Sequence, residues 1–295
     1  MNRFASLSRR TLVALSLLGT FGVLSPASAD EIQPVDASRI VSVGTSVTEI
    51  IFDLGLGDKV VARDSTSTFP EAAARLPDVG YVRALSPEGV LSVNPSAIVM
   101  LEGAGPKSTL DVLANASVPV VTIPEGYDTQ AIVTKIRTIG KALDAETRAD
   151  ELAARVAADI EAAHADAEKV AADKRKRVLF VLAIQNGKIM AAGQHTAADG
   201  ILKLAGAINA TGDFHGYKQL NDEAILAANP DAILLMMNGG PGQPTDDQLL
   251  GHPAVALTPA GKDKALIRMN GQTLLGFGPR TAEAVRELSK SLYGE

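Results

Sequence analysis

The chain contains no cysteine and no tryptophan, and aromatic residues make up only 4% of its 295 positions. Without cysteine there are no disulfides, and no thiol near the N-terminus to accept a lipid. Without tryptophan and with few other rings, stacking platforms for sugars or bases are not expected. Positive charge is also short: the 28 basic residues fall to 25 without Arg3, Arg9 and Arg10, against 34 acidic ones, a net charge of about −9. That sign argues against nucleic acid as a partner. Four histidines are scattered without the clustering that a zinc or manganese site needs. No G-x-S-x-G elbow, H-E-x-x-H pair or G-x-x-x-x-G-K-[ST] loop occurs, which counts against a secreted hydrolase, the rival from the enzyme class.

Residues 1–29 read as an export signal and are excluded from the fold. Arg3, Arg9 and Arg10 form a basic start, an apolar run extends from about Leu12 to Leu24, and Ala27-Ser28-Ala29 has the A-x-A form of a cleavage site. Cleavage is expected after Ala29. The run is too short for a stable membrane anchor, and no other stretch approaches spanning length, so no membrane insertion is expected. Ser8-Arg9-Arg10 leaves both the Sec and the twin-arginine routes open. An exported, unlipidated, cysteine-free chain fits a bacterial periplasm.

One phrase occurs twice, 135 residues apart: Leu85–Met100 reads LSPEGVLSVNPSAIVM and Leu220–Leu235 reads LNDEAILAANPDAILL, identical at seven of sixteen positions. Each copy predicts a capped helix, an Asn-Pro break and a buried strand. Ser86 suits the N-cap, Pro87 the first helical position, and Glu88 the first turn. Two copies so far apart predict two lobes with a cleft between them.

Strands are expected at 39–43, 59–62, 97–101, 118–123, 177–184 and 265–269, alternating with helices such as 129–143, 196–204 and 279–292. Gly44-Thr45-Ser46, turning from the first strand into a helix, offers backbone N–H groups toward an anion. Residues 144–174 are rich in Ala, Glu, Asp and Arg and lack Pro and Gly, which predicts one helix of about 30 residues, roughly 45 Å long. The fold class is therefore α/β: two Rossmann-like lobes with mainly parallel sheets, 37–143 and 175–295, joined by a long bridging α-helix over 144–174.

These features together resemble the helix-bridged class of ABC-transporter substrate-binding proteins, which bind vitamin B12, ferric siderophores and haem. Within that class, Gly80-Tyr81-Val82-Arg83-Ala84-Leu85-Ser86-Pro87-Glu88-Gly89 looks most like haem binders. So does Ala192-Gly193-Gln194-His195-Thr196-Ala197-Ala198-Asp199, with Gly206-Ala207-Ile208-Asn209-Ala210 after it. The resemblance implies a monomeric periplasmic protein, not an enzyme. It would capture ferric haem in the inter-lobe cleft as transported ligand and deliver it to an inner-membrane ABC permease. A ferric siderophore or a corrinoid is the alternative cargo.

Tyr81 is the candidate iron ligand. Ferric iron favours an anionic oxygen, and a free phenol, with a pKa near 10, becomes tyrosinate only with help from the metal and a neighbouring cation. Arg83 is two residues on; in an extended segment the pair shares one face, so Arg83 is placed to support the phenolate or to pair with a propionate. His195, His215, Tyr217 and Gln185 are possible cleft contacts, and Tyr127 follows a strand nearby. Asn238 stands where related haem binders often carry an Arg, offering a neutral amide instead. His164 and His252 read as surface residues. In the class, one glutamate on each lobe docks onto arginines of the permease, which assigns that role to Glu88 and Glu223. A first-turn glutamate is also favoured by the helix macrodipole without any partner.

Overall fold

A computed structural model describes residues 33–237 and 243–294. The expected export signal over 1–29, Asn238 and residues 239–242 lie outside the described residues. The first lobe holds β1 (Ile40–Val43), β2 (Val60–Arg63), β3 (Ala97–Leu101) and β4 (Val120–Ile123), in the order β2-β1-β3-β4 with every pair parallel. β1 is buried along its whole length, as an apolar run in a sheet covered on both faces should be.

The second sheet contains β5 (Arg177–Gln185), β6 (Lys188–Ala192), β7 (Ile208–Asn209), β8 (Tyr217–Gln219), β9 (Ala232–Met237) and β10 (Leu266–Asn270). Its order is β10-β9-β5-β6-β8, with β7 also beside β5. The expected parallel pairing holds for β10, β9, β5 and β7. The remaining pairs of this mainly parallel fold, β5–β6 and β6–β8, are antiparallel. The cause is local: Asn186 and Gly187 both take positive φ, 51° and 74°. That pair of left-handed residues is what a two-residue hairpin turn demands.

The duplicated phrase is duplicated in conformation. Ser86 accepts a hydrogen bond from the Gly89 amide at 2.9 Å, capping the helix Pro87–Leu91. Asn221 accepts from the Ala224 amide at 2.9 Å, capping the helix Asp222–Ala228. After each helix comes a left-handed asparagine, Asn94 at φ 49° and Asn229 at φ 43°. Asn tolerates this region better than other side-chain-bearing residues, and the following proline then ends the helix.

An arginine clamps each copy to its strand. Arg39 Nε and Nη2 donate to the Asn94 and Val93 carbonyls at 2.9 and 2.6 Å. Arg177 Nε donates to the Ala228 carbonyl at 3.0 Å. The backbone repeats too: the amides of Ser96 and Asp231 each donate to the preceding strand's arginine carbonyl at 2.8 Å. Their side-chain oxygens each accept from that arginine's amide at 2.8 Å.

The long helix runs over Glu146–Ala167, 22 residues and about 33 Å, not over 144–174. At its start Asp144 takes φ 53° and Gly140 passes close to Ala149, turning the preceding helix Thr129–Ala142 back against it. At its end His164 Nδ1 lies 2.8 Å from the Leu204 carbonyl, and Gly206 sits against the Ala167 backbone. Tertiary contact stops this helix where the sequence carries no breaker. His164 is thus a half-buried pin, not a surface residue. His252 is also largely covered, 3.9 Å from Asp222, against the expectation of exposure.

One apolar core runs from the first sheet through Ile132, Ile136, Val156 and Ile160 to Phe180, Ile201, Phe277 and Leu288 in the second lobe. Smaller clusters cover the outer face of each sheet. The lobes therefore share packing across their seam in addition to the bridging helix.

Candidate functional site

The seam at the base of the lobes is ionic. Glu49, buried on the first-lobe helix Thr45–Asp53, takes Arg280 of the second lobe in a two-point pair, 2.5 Å to Nη2 and 3.0 Å to Nε. Arg280 also lies over the Phe69 ring, 3.9 Å from its centroid. Burial pushes the Glu49 carboxyl up, and Arg280 opposes that shift. A second tie is Lys135, fully buried. Its ammonium donates to the Phe277 carbonyl at 3.1 Å, to Ser46 Oγ at 3.2 Å and to Glu125 Oε1 at 3.4 Å. Burial lowers Lys135 and raises Glu125, and each partner offsets the other's shift.

Above that seam four groups converge. Tyr127 packs edge-on against Phe277 of the other lobe, ring centroids 5.3 Å apart. Burial pushes its phenol up to about 12, with Glu125, Tyr217 and Glu102 adding to the rise and Arg83 opposing it. Tyr217, at the start of β8 and 42% exposed, is raised by the protein around it and lowered by Arg83. The charge of Arg83, on the first lobe, thus opposes the rise of Glu125, Tyr127 and Tyr217 alike. Glu102 Oε2 accepts the Glu125 amide at 3.1 Å.

Tyr81 follows Gly80, which sits at φ 107°, in a loop held by Asp78: its Oδ1 accepts from the Gly80 amide at 2.8 Å and from Ser65 Oγ at 3.0 Å. The Tyr81 carbonyl accepts from the Ala84 amide at 2.7 Å, so residues 81–84 form a turn. The segment is not extended, and the strand-period argument for a shared face with Arg83 does not hold. A second loop staples this turn: the Gly105 amide donates to the Val82 carbonyl and the Leu85 amide to the Gly105 carbonyl, both at 2.9 Å. Tyr81 is 47% exposed, and among the described residues its hydroxyl has no hydrogen-bond partner.

His195 and His215 come together, ring centroids 4.6 Å apart and tilted by 41°, joined by a backbone bridge between Gln194 and His215. Both are exposed. His195 is not the cap of the following helix: Thr196 is, accepting from the Asp199 amide at 3.1 Å. Gln185 is exposed beside the hairpin turn, paired with Lys188. The Gly44-Thr45-Ser46 turn is already served from within, because the buried Asp64 accepts the Gly44 amide at 2.8 Å. Glu88 and Glu223 are exposed at equivalent first-turn positions of the two capped helices. Sequence reasoning gave no place to Glu102, Glu125 or Lys135; for Glu125, the position just past the C-terminal end of β4 was the available signal. No group of three or more His, Cys, Asp or Glu suited to a metal ion occurs among the described residues. None of their helices is long and apolar enough to cross a membrane.

Residues 40–273 match the family model for periplasmic binding proteins, and the chain belongs to that family. Among solved structures, the apo periplasmic haem-binding protein RhuT from Roseiflexus sp. RS-1 superposes with a TM-score of 0.82 at 38% identity, covering 87% of this chain and 98% of that one. An uncharacterised ABC transporter substrate-binding lipoprotein of Bacillus subtilis, YvrC, is 29% identical over 88% of this chain and 81% of its own length. The vitamin B12-binding protein of Pectobacterium carotovorum is 25% identical over 86% of this chain and 88% of its own. The two-lobe, helix-bridged architecture is that of periplasmic substrate-binding proteins, which bind and are not enzymes.

Proposed function

We propose that this protein captures ferric haem between its lobes in the periplasm and hands it to an inner-membrane ABC importer. The reading is supported by the 38% identity and TM-score of 0.82 to an apo periplasmic haem-binding protein, together with the exposed Tyr81 in the turn over residues 81–84.

Tyr81 is the proposed iron ligand. The chain has four tyrosines. Tyr293 donates to the Gly206 carbonyl at 3.0 Å, and Tyr127 is packed on Phe277 with its phenol pushed up to about 12. Tyr217 is about as exposed as Tyr81, and what favours Tyr81 over it is the surrounding Gly80–Gly89 motif. Tyr81 is exposed and, among the described residues, its oxygen has no hydrogen-bond partner, which suits a group that must surrender a proton to bind a hard cation. Arg83 supports it by neutralising charge at the cleft wall, and Tyr217, His215 and His195 line the far side. Gln185 is a more peripheral contact, on the hairpin. Glu88 and Glu223 are the proposed docking contacts, one on each of the lobes 37–143 and 175–295, held apart by the connecting segment 144–174 with its helix Glu146–Ala167. The exported form is a monomer beginning at Asp30.

A haem titration tests the reading. The wild type gives a saturable Soret change, and Tyr81→Ala lowers affinity at least about tenfold and removes the high-spin charge-transfer band. An unchanged spectrum and affinity in that variant eliminate the assignment. Saturable binding of a cobalamin or a ferric siderophore with no Soret response to haem moves the cargo to the alternative class.

A further inference from the structure

The second lobe carries a cavity of about 500 Å³ that none of the roles above uses. It is bounded by residues 210–214, by β8 and by the helix Asp222–Ala228, and Tyr217 is not in its lining. Arg177, Lys188 and Lys218 line it against a single carboxylate, Asp213. Arg177 is occupied by the Ala228 carbonyl. Lys188 and Lys218 are exposed and, among the described residues, form no ion pair; the Lys218 ammonium lies only over the Phe214 ring, 5.6 Å from its centroid. Two unpaired ammonium groups and an arginine against one carboxylate at the same groove stand out in a chain of net charge −6.

We propose that this groove receives an acidic segment of the importer's permease, beside the contact made by Glu223; the inference rests on the docking reading given above. Two observations support it. Ala224, Ala227 and Ala228 form the helix wall of the groove, leaving room for a main chain. Glu223 lies on the same helix, four residues before Ala227, so an anionic contact and two cationic ones stand side by side. Such a bipolar pattern fixes the orientation of a partner and excludes partners of one sign.

The test uses the mature protein and its importer reconstituted in phosphatidylcholine nanodiscs. Lys188→Glu with Lys218→Glu weakens docking about tenfold or more, while the haem titration is unchanged. Should that variant lose haem binding, Lys188→Met with Lys218→Met keeps the apolar stems and must still weaken docking about threefold. Unchanged docking in the lysine variants, with Glu223→Ala still impaired, overturns the groove and leaves the glutamate contact standing. Full docking by both sets overturns both. Binding to phosphatidylglycerol vesicles without importer, lost in the lysine variants while docking persists, assigns the groove to a lipid headgroup and overturns the permease segment.

Discussion

The two copies of the repeated phrase agree where they hold the fold and differ where they face the cargo. Ser96 and Asp231 make the same bonds to Arg39 and Arg177, both arginines bond carbonyls at the helix end, and Asn94 and Asn229 share the left-handed conformation. Upstream of each copy the resemblance ends. In the first lobe Tyr81 sits in a tight turn stapled to a second loop; in the second Tyr217 sits on a strand of an antiparallel extension. A duplicated scaffold thus carries two unlike segments ahead of the repeated phrase. On the proposed reading, an asymmetric ligand meets an exposed tyrosine in a turn on one side and a tyrosine on a strand on the other.

The comparison has meaning only while the seam holds the walls in place, and breaking the seam has the largest expected effect. Glu49→Ala leaves Arg280 without its carboxylate in a buried site. Loss of one partner of a buried pair costs about 3 kcal/mol or more. Chemical denaturation of the haem-free protein measures it, and a loss below about 1 kcal/mol shows that the shared apolar core alone joins the lobes. The clamps come next. Arg39→Ala and Arg177→Ala each remove charge-assisted bonds to carbonyls at a helix end, about 1.5–3 kcal/mol apiece. Similar losses support equivalent clamps; a much larger loss at Arg177, the more buried of the two, shows that burial outweighs the repeated bonding.

The walls themselves are compared by affinity. Tyr81→Ala is expected to cost at least about tenfold in haem affinity, close to 1.4 kcal/mol. Tyr217→Phe, which keeps the ring and removes the hydroxyl, is expected to cost about threefold or less and to leave the charge-transfer band intact. A reversed order moves the iron ligand to the second lobe.

Much of the scaffold was legible in the sequence because it is written locally. Ser86, Pro87 and the Asn-Pro breaks each act within a few residues, and the structure places them as caps and stops. The Asn186-Gly187 turn was equally legible as a hairpin signal, yet the neighbouring Gln185 was read as a cleft contact; the antiparallel strands follow from that dipeptide. The seam was not legible. Glu49 and Arg280 are 231 residues apart, and Lys135 meets a carbonyl 142 residues away, so no local pattern links them. Nor was the end of the bridging helix, which is set by Leu204 and Gly206 pressing on its last turn. The proposed site falls between these cases: Tyr81 and Arg83 were singled out through the motif that holds them, while Lys135 drew notice only through its bond to Phe277 of the other lobe.

The bridging helix carries the smallest expected effect and the last asymmetry. It is tied to each lobe by an exposed ion pair: Arg137 Nε to Asp150 Oδ1 at 2.8 Å on the first, and Arg286 to Asp159 on the second. The Arg286 hydrogen bond holds the Asp159 carboxyl below its usual 3.8. The sign follows from that direction. Stability from this pair is fully present above the ordinary carboxylate value and is lost as pH falls through the lowered one. Both side chains are about half exposed, so water and salt screen the pair and Asp159→Asn is expected to cost under about 1 kcal/mol at neutral pH. The difference between wild type and variant should shrink with added salt and vanish in acid below the lowered value. A difference that persists in acid and in high salt marks a packing role for Asp159, and the two ends of the bridge would then be fastened by different physics.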